Sequence, residues 1–188
     1  MAFFVTNNVN KFQEARKVLA EYNIATAMIR VKATEIQDDN LENIAKASAV
    51  DAAEKCRLPI IVEDAGLFIN ALNGFPGPYS SYVNRTIGVE GILKLMKNIE
   101  DRSAYFLSAV TFYDPASGER KTFRGKVDGK IAEEARGESG FGFDPIFIPI
   151  EGDGRTFAEM GTEGKNKFSH RARVLRKFAE WYRRKAEG

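Results

Sequence analysis

The apolar positions alternate between short β-branched or aromatic runs and longer segments with helical spacing. Ala2 to Val5 reads as a short buried strand, after which Phe12, Ala15, Leu19 and Tyr22 recur at the period of a helix. Ile29 to Ile36 alternates loosely and reads as a strand with Glu35 near its end. Leu41, Ile44, Ala45, Ser48, Ala52 and Cys56 trace one face of a second helix that carries Lys46 to the side, and Ile60 to Val62 is the next buried strand. Strand, helix, strand, helix, strand over residues 2–64 favours an α/β layer with parallel pairing. Ile92, Leu93, Met96 and Ile99 then give the inward face of a short helix. From Tyr105 the character changes. Tyr105 to Tyr113, the turn Asp114 to Gly118 and the run Lys121 to Ile131 form a hairpin signature, which extends the sheet or forms a second lobe. Leu175, Phe178, Ala179 and Tyr182 mark the buried face of a last helix, with Ser169 as its cap. The expectation is one domain over 1–188. Its fold class is α/β, a mixed central sheet flanked by helices, in two lobes with the active site in the cleft between them.

Composition narrows the class. With 44% hydrophobic and 29% charged residues in 188, the chain reads as soluble and globular, large enough for a sizeable core. No apolar run approaches the roughly 20 residues a bilayer requires, and the start lacks a basic segment and cleavage pattern, so a cytoplasmic protein is expected. The single cysteine, Cys56, excludes an internal disulfide and reads as a core thiol. The single histidine, His170, cannot build a histidine-based metal site, so any metal is held by oxygen and is magnesium or manganese rather than zinc. Nine Lys and Arg against two Glu from Lys165 onward give +7 within a total of +2, leaving −5 elsewhere. An anionic partner near that end is therefore expected.

Candidate chemistry sits in four places. Ile60 to Val62 leads straight into Glu63 and Asp64, then Ala65 and Gly66; buried acids off an apolar run need a cation, either a basic side chain or a metal. Gly74, Pro76, Gly77 and Pro78 stiffen the loop toward Tyr79, as a site wall or an ordinary turn. Thr6, Asn7, Asn8, Val9, Asn10 and Lys11 join a strand to a helix, either as an anion site on free amides or simply as a cap. Gly140, Phe141, Gly142, Phe143, Asp144 and Pro145 describe a rigid loop that exposes a flat ring to a planar ligand, or else Phe141, Phe143 and Phe147 are core. Gly161 to Lys167 is polar and contains glycine, while His170 and Arg171 fall in the first turn of the last helix, where positive charge suits the dipole poorly without an anion. Arg173, Arg176, Lys177 and Arg183 to Lys185 read as a solvated face.

In order and spacing from residue 3 to residue 182, these pieces resemble the inosine triphosphate pyrophosphatase family, also called Ham1-like. The resemblance rests on Thr6-Asn7-Asn8 with Lys11, on Val62 to Leu67 with the Gly74 to Tyr79 loop, on Gly140 to Pro145, and on Lys165 with Ser169-His170-Arg171. Asn7 stands where the family usually has glycine; Asn tolerates a left-handed backbone, so the loop shape survives. The resemblance implies magnesium-dependent hydrolysis of noncanonical purine nucleoside triphosphates (ITP, dITP, XTP) between the α and β phosphates, giving the monophosphate and pyrophosphate. It implies Glu35 and Asp64 as metal ligands, Mn²⁺ as a possible substitute for Mg²⁺, and Asp64 as proton acceptor for the attacking water with Glu63 in support. Thr6, Asn7, Asn8, Lys11, Lys46 and Ala65 would meet the phosphate end. Phe141, Gly142, Phe143, Asp144, Lys165, His170 and Arg171 would meet the base, with donors facing the 6-oxygen of hypoxanthine or xanthine and rejecting adenine. A homodimer is implied, with no membrane and no stable nucleic-acid partner. Two alternatives are a Maf-type pyrophosphatase acting on other bases and a nucleic-acid-binding module built on the basic last helix.

Overall fold

A computed structural model describes residues 1–187, with side chains to residue 185. Strand β1, Ala2–Val5, is followed by helix α1, Val9–Ala20. Asn8 starts the helix: its backbone is extended and its side chain accepts the Lys11 N–H at 3.1 Å. Strand β2, Thr26–Ile29, runs parallel to β1 in the register Ala2↔Thr26 to Val5↔Ile29. The strand expected over Ile29–Ile36 therefore ends where that reading began it. Past Val5 the ladder adds a bond from the Thr6 N–H to the Ile29 carbonyl at 3.1 Å before the chain turns into α1, and the loose alternation of Val31 and Ala33 reflects packing of an irregular segment against a core cluster.

Helix α2, Leu41–Cys56, has the extent its periodicity predicts; Asn40 caps its start and Arg57, left-handed at φ 54°, ends it. It feeds strand β3, Ile60–Ile69, which pairs parallel with β1 through Phe3↔Ile60 to Val5↔Val62. The strand does not stop at its acids. Glu63 and Asp64 lie in mid-strand, because β3 continues into antiparallel pairing with β4, Pro76–Gly77. Gly66 makes that possible, since a Cβ there would lie 2.2 Å from the Gly77 carbonyl oxygen.

Helices α3, Ser80–Thr86, and α4, Gly88–Leu95, follow. The first was not legible as a helix, since only Ser80 and Val83 of its seven residues are buried. Strands β5, Ser103–Tyr113, and β6, Arg120–Ile131, are neighbours joined by a turn in which Asp114 accepts from the Ala116 N–H and the Ser117 hydroxyl. So short a connection allows only antiparallel pairing. Strand β7, Phe147–Pro149, pairs antiparallel with β6. Helix α5, Phe157–Phe168, opens with a reciprocal capping box between Thr156 and Glu159. The polar, glycine-containing stretch from Gly161 to Lys167 is thus helical, kinked at Gly161 (φ 65°, ψ 177°). Helix α6, His170–Glu187, ends the described chain.

The sheet order is β2-β1-β3-β5-β6-β7, with β4 on β3, so the fold is α/β with a mixed sheet, as expected. The chain divides into two compact units: Met1–Asp64, Ser108–Gly125 and Arg171–Gly188 form one, and Ala65–Leu107 with Lys126–His170 the other. The first unit has two apolar clusters. One joins Phe4, Leu19, Ile61, Phe112, Leu175 and Phe178, and the other packs Ala49, Ala52 and Ala53 of α2 against Val5, Ile60 and Val62. The second unit is built around Leu67, Ile92, Phe106, Phe143, Phe147 and Phe157. No described helix is long and apolar enough to cross a membrane.

Candidate active site

Successive side chains of a strand point to opposite faces, and β3 uses this to give its adjacent acids different surroundings. Glu63 is 7% exposed, whereas Asp64 is half-buried. The Glu63 carboxylate accepts from the Ser108 hydroxyl at 2.6 Å and from Arg171 Nε at 3.1 Å, and Lys11 Nζ lies 2.9 Å from it. Arg171 Nη1 meanwhile donates to Glu14 at 2.6 Å. The two cations offset the two carboxylates charge for charge, which is what keeps so many buried ionic groups tolerable. Burial opposes the charge on Arg171, but Glu63 and then Glu14 outweigh it and hold the guanidinium's pKa above its ordinary value. The cation demanded by an acid on an apolar strand is therefore, for Glu63, a pair of basic side chains.

The other residues assigned to the phosphate end also lie in the first unit, except Ala65, which opens the second. Thr6 accepts the Asn8 N–H at 3.1 Å, so the loop ahead of α1 is internally ordered and Asn8 acts as a cap. Asn7 is exposed. Lys46, on α2, lies 3.8 Å from Glu42 one turn earlier. Glu35 is exposed on the irregular segment before α2. Among the described residues no three or more His, Cys, Asp or Glu side chains converge as a metal cage. Two carboxylates suit an ion such as Mg²⁺, which keeps waters and takes further oxygens from a phosphate substrate.

In the second unit, Asp144 is the organising group. Its Oδ2 accepts from Lys165 Nζ at 2.7 Å and from the Phe141 N–H at 3.0 Å. Lys165 Nζ also lies 4.7 Å from the centre of the Phe141 ring, so ring, acid and ammonium are mutually fixed. Gly140 must be glycine, because at φ 79° a Cβ would lie 2.2 Å from Asp144 Oδ2. Gly142, also left-handed at φ 64°, precedes Phe143, which is core with Phe147, while Phe141 is half-buried. His170 is buried and stacks on Phe106, ring centres 4.5 Å apart.

The sequence model of the Ham1 family matches residues 2–181, nearly the whole chain. The chain belongs to the Ham1 family. It is 53% identical over 185 residues to a dITP/XTP pyrophosphatase of Methanopyrus kandleri, covering 98% of this chain and 97% of that one. It is 51% identical to one from Thermococcus kodakarensis, with 95% of each covered. Among solved structures, the Ham1 protein of Coxiella burnetii superposes with a TM-score of 0.84 at 28% identity, covering 98% of this chain and all of that one.

Two members of the ionic network in this Ham1 chain escaped the sequence reading. Glu14 lies one turn before Val18 on the buried face of α1, so an acid at a core position was the available signal. Ser108, fully buried in β5, gave none beyond a hydroxyl in an apolar strand.

Proposed function

We propose that this chain hydrolyses dITP, ITP and XTP between the α and β phosphates, releasing the monophosphate and pyrophosphate and clearing deaminated purines from the nucleotide pool. The observation that carries this reading is the 53% identity, along nearly the full length of both chains, to a dITP/XTP pyrophosphatase. Glu35 and Asp64 would hold Mg²⁺, or Mn²⁺ in its place. When bound, the ion supplies charge neutralisation on the triphosphate and on the departing pyrophosphate.

The chain's own groups do the rest. Asp64 takes the proton of the water that attacks the α phosphorus as the bond to the bridging oxygen breaks. Glu63 supports it indirectly: held by Ser108, Arg171 and Lys11, its carboxylate keeps Lys11 fixed beside it. Lys11 and Lys46 hold phosphate oxygens, and Thr6, Asn7, Asn8 and Ala65 line the same end. The Phe141 ring, set by Asp144 and Lys165 with Gly142 and Phe143 shaping the loop, stacks on the purine. Lys165, His170 and Arg171 present donors toward the 6-oxygen; adenine, which carries a donor there, is rejected because the site's buried groups would be left unpaired. We further infer a cytoplasmic homodimer without membrane or stable nucleic-acid partner, acting as one domain.

Pyrophosphate release measured over ITP, dITP, XTP, dTTP, UTP and ATP, with and without Mg²⁺, tests the reading. Turnover confined to the first three and dependent on the ion is expected. Turnover of dTTP or UTP instead would move the chain to a Maf-type specificity, and inertness toward all six would overturn the proposal.

A further inference from the structure

The segment from Arg30 to Asn40 has no regular structure, yet it carries Glu35. A carboxylate on such a segment makes a poor ligand unless the backbone beside it is held, since ordering a free loop opposes binding. Here α2 holds it. The Thr34 N–H donates to Asp51 at 2.8 Å, and the Thr34 carbonyl accepts from the Ser48 hydroxyl at 3.0 Å. Ser48 and Asp51 are three residues apart on the helix and so share a face. One turn on, Lys55 Nζ donates to the same Asp51 oxygen at 2.6 Å and to the Lys32 carbonyl at 3.0 Å. Beyond Glu35, Asp38 accepts from the Asn40 N–H at 2.7 Å and from the Asn43 side chain at 3.1 Å. Only Glu35, Ile36 and Gln37 lie between these ties, and all three are exposed.

An exposed Asp–Lys pair contributes little stability by itself. What this one does is aim three helix side chains at the backbone of Lys32 and Thr34, so that the residue next to Glu35 is held at both its N–H and its carbonyl. We propose that Ser48, Asp51 and Lys55 form a clip that positions Glu35 for its divalent cation, with Asp51 the central positioning residue. The inference rests on the reading of Glu35 as a metal ligand.

The test is Mn²⁺ binding to the full chain, followed by electron paramagnetic resonance, together with amide exchange at Thr34. Asp51→Ala is expected to weaken Mn²⁺ binding roughly tenfold, as loss of an outer partner of a ligand does, with turnover at saturating metal little changed. Asp51→Asn keeps an oxygen for the Thr34 N–H and should recover most of the affinity. Thr34 exchange should accelerate in the alanine variant and not in the asparagine one. In a Glu35→Gln background, Asp51→Ala should add nothing. If Glu35→Gln weakens Mn²⁺ binding but Asp51→Ala does not, or if the loss persists in the Glu35→Gln background, the clip is wrong and the metal reading survives. If Glu35→Gln leaves Mn²⁺ affinity unchanged, the metal reading fails and the clip with it.

Discussion

Asp64 and Glu63 are neighbours in sequence, but substitutions at them and at their partners should have opposite consequences. In the proposed mechanism Asp64→Asn removes the proton acceptor while preserving shape. Turnover of ITP should fall by at least about a thousandfold with the urea midpoint unchanged, and a rate near that of the parent chain would refute the assignment. Arg171→Met should do something different. It strips the cation from between Glu14 and Glu63, both buried, while Lys11 and the Ser108 hydroxyl still meet Glu63. Breaking a buried pair by removing one member costs about 3–5 kcal/mol, so equilibrium urea unfolding at neutral pH should show a loss of that size. A loss below about 1 kcal/mol would mean that the network is held in some other way.

The elements that were legible are those whose burial matches a simple period. Helix α2 buries Leu41, Ile44, Ala45, Ser48, Ala49, Ala52 and Ala53 along one stripe, and its ends were read correctly. The extent of β3 was not legible, because what continues it past Asp64 is a backbone contact from β4 through Gly66, and no local pattern announces which strand a glycine will admit. Gly66→Ala should therefore be costly: the Cβ meets backbone rather than a yielding side chain. A loss of about 1–3 kcal/mol is expected from urea unfolding, and a neutral result would mean that the β3–β4 contact is looser than described. The segment before α2 was misread as a strand for the converse reason, since its ties are side chains of a helix. Those ties titrate. The Lys55 hydrogen bond and then the Thr34 N–H hold the Asp51 carboxyl below the ordinary carboxylate range. The Asp51–Lys55 ion pair is thus fully present above the unfolded value of about 3.9 and is lost as pH falls through the lower folded value. Because protonated Asp51, like asparagine, keeps an oxygen for the Thr34 N–H, the readout is the carboxyl itself: followed by NMR it should titrate below its ordinary value, and Lys55→Met should move it back up, whereas a titration unchanged in that variant would remove Lys55 from the tie.

For the whole molecule, the question left by the composition is where the positive charge from Lys165 onward goes. The sequence suggested an anionic partner there. The structure shows much of that charge meeting the chain's own groups: Lys165 pairs with Asp144, Arg171 with Glu14 and Glu63, Arg176 with Glu21, and Lys185 with Glu119, while Lys177 donates to the Arg124 carbonyl. The +7 and −5 regions counted along the sequence are thus largely one region's charge balancing another's. This pairing bears on the alternative of a nucleic-acid-binding module built on the last helix. Polyanion affinity depends on how many phosphates are neutralised by cations that have no other partner. A chain whose basic helix is occupied internally should bind duplex DNA or RNA weakly. The logarithm of its affinity should fall with the logarithm of salt at a slope no steeper than about −2, where six phosphate contacts would give about −5. Fluorescence anisotropy of a labelled duplex between low and physiological salt measures that slope, and a steep one would show that the basic face is still available to an external polyanion.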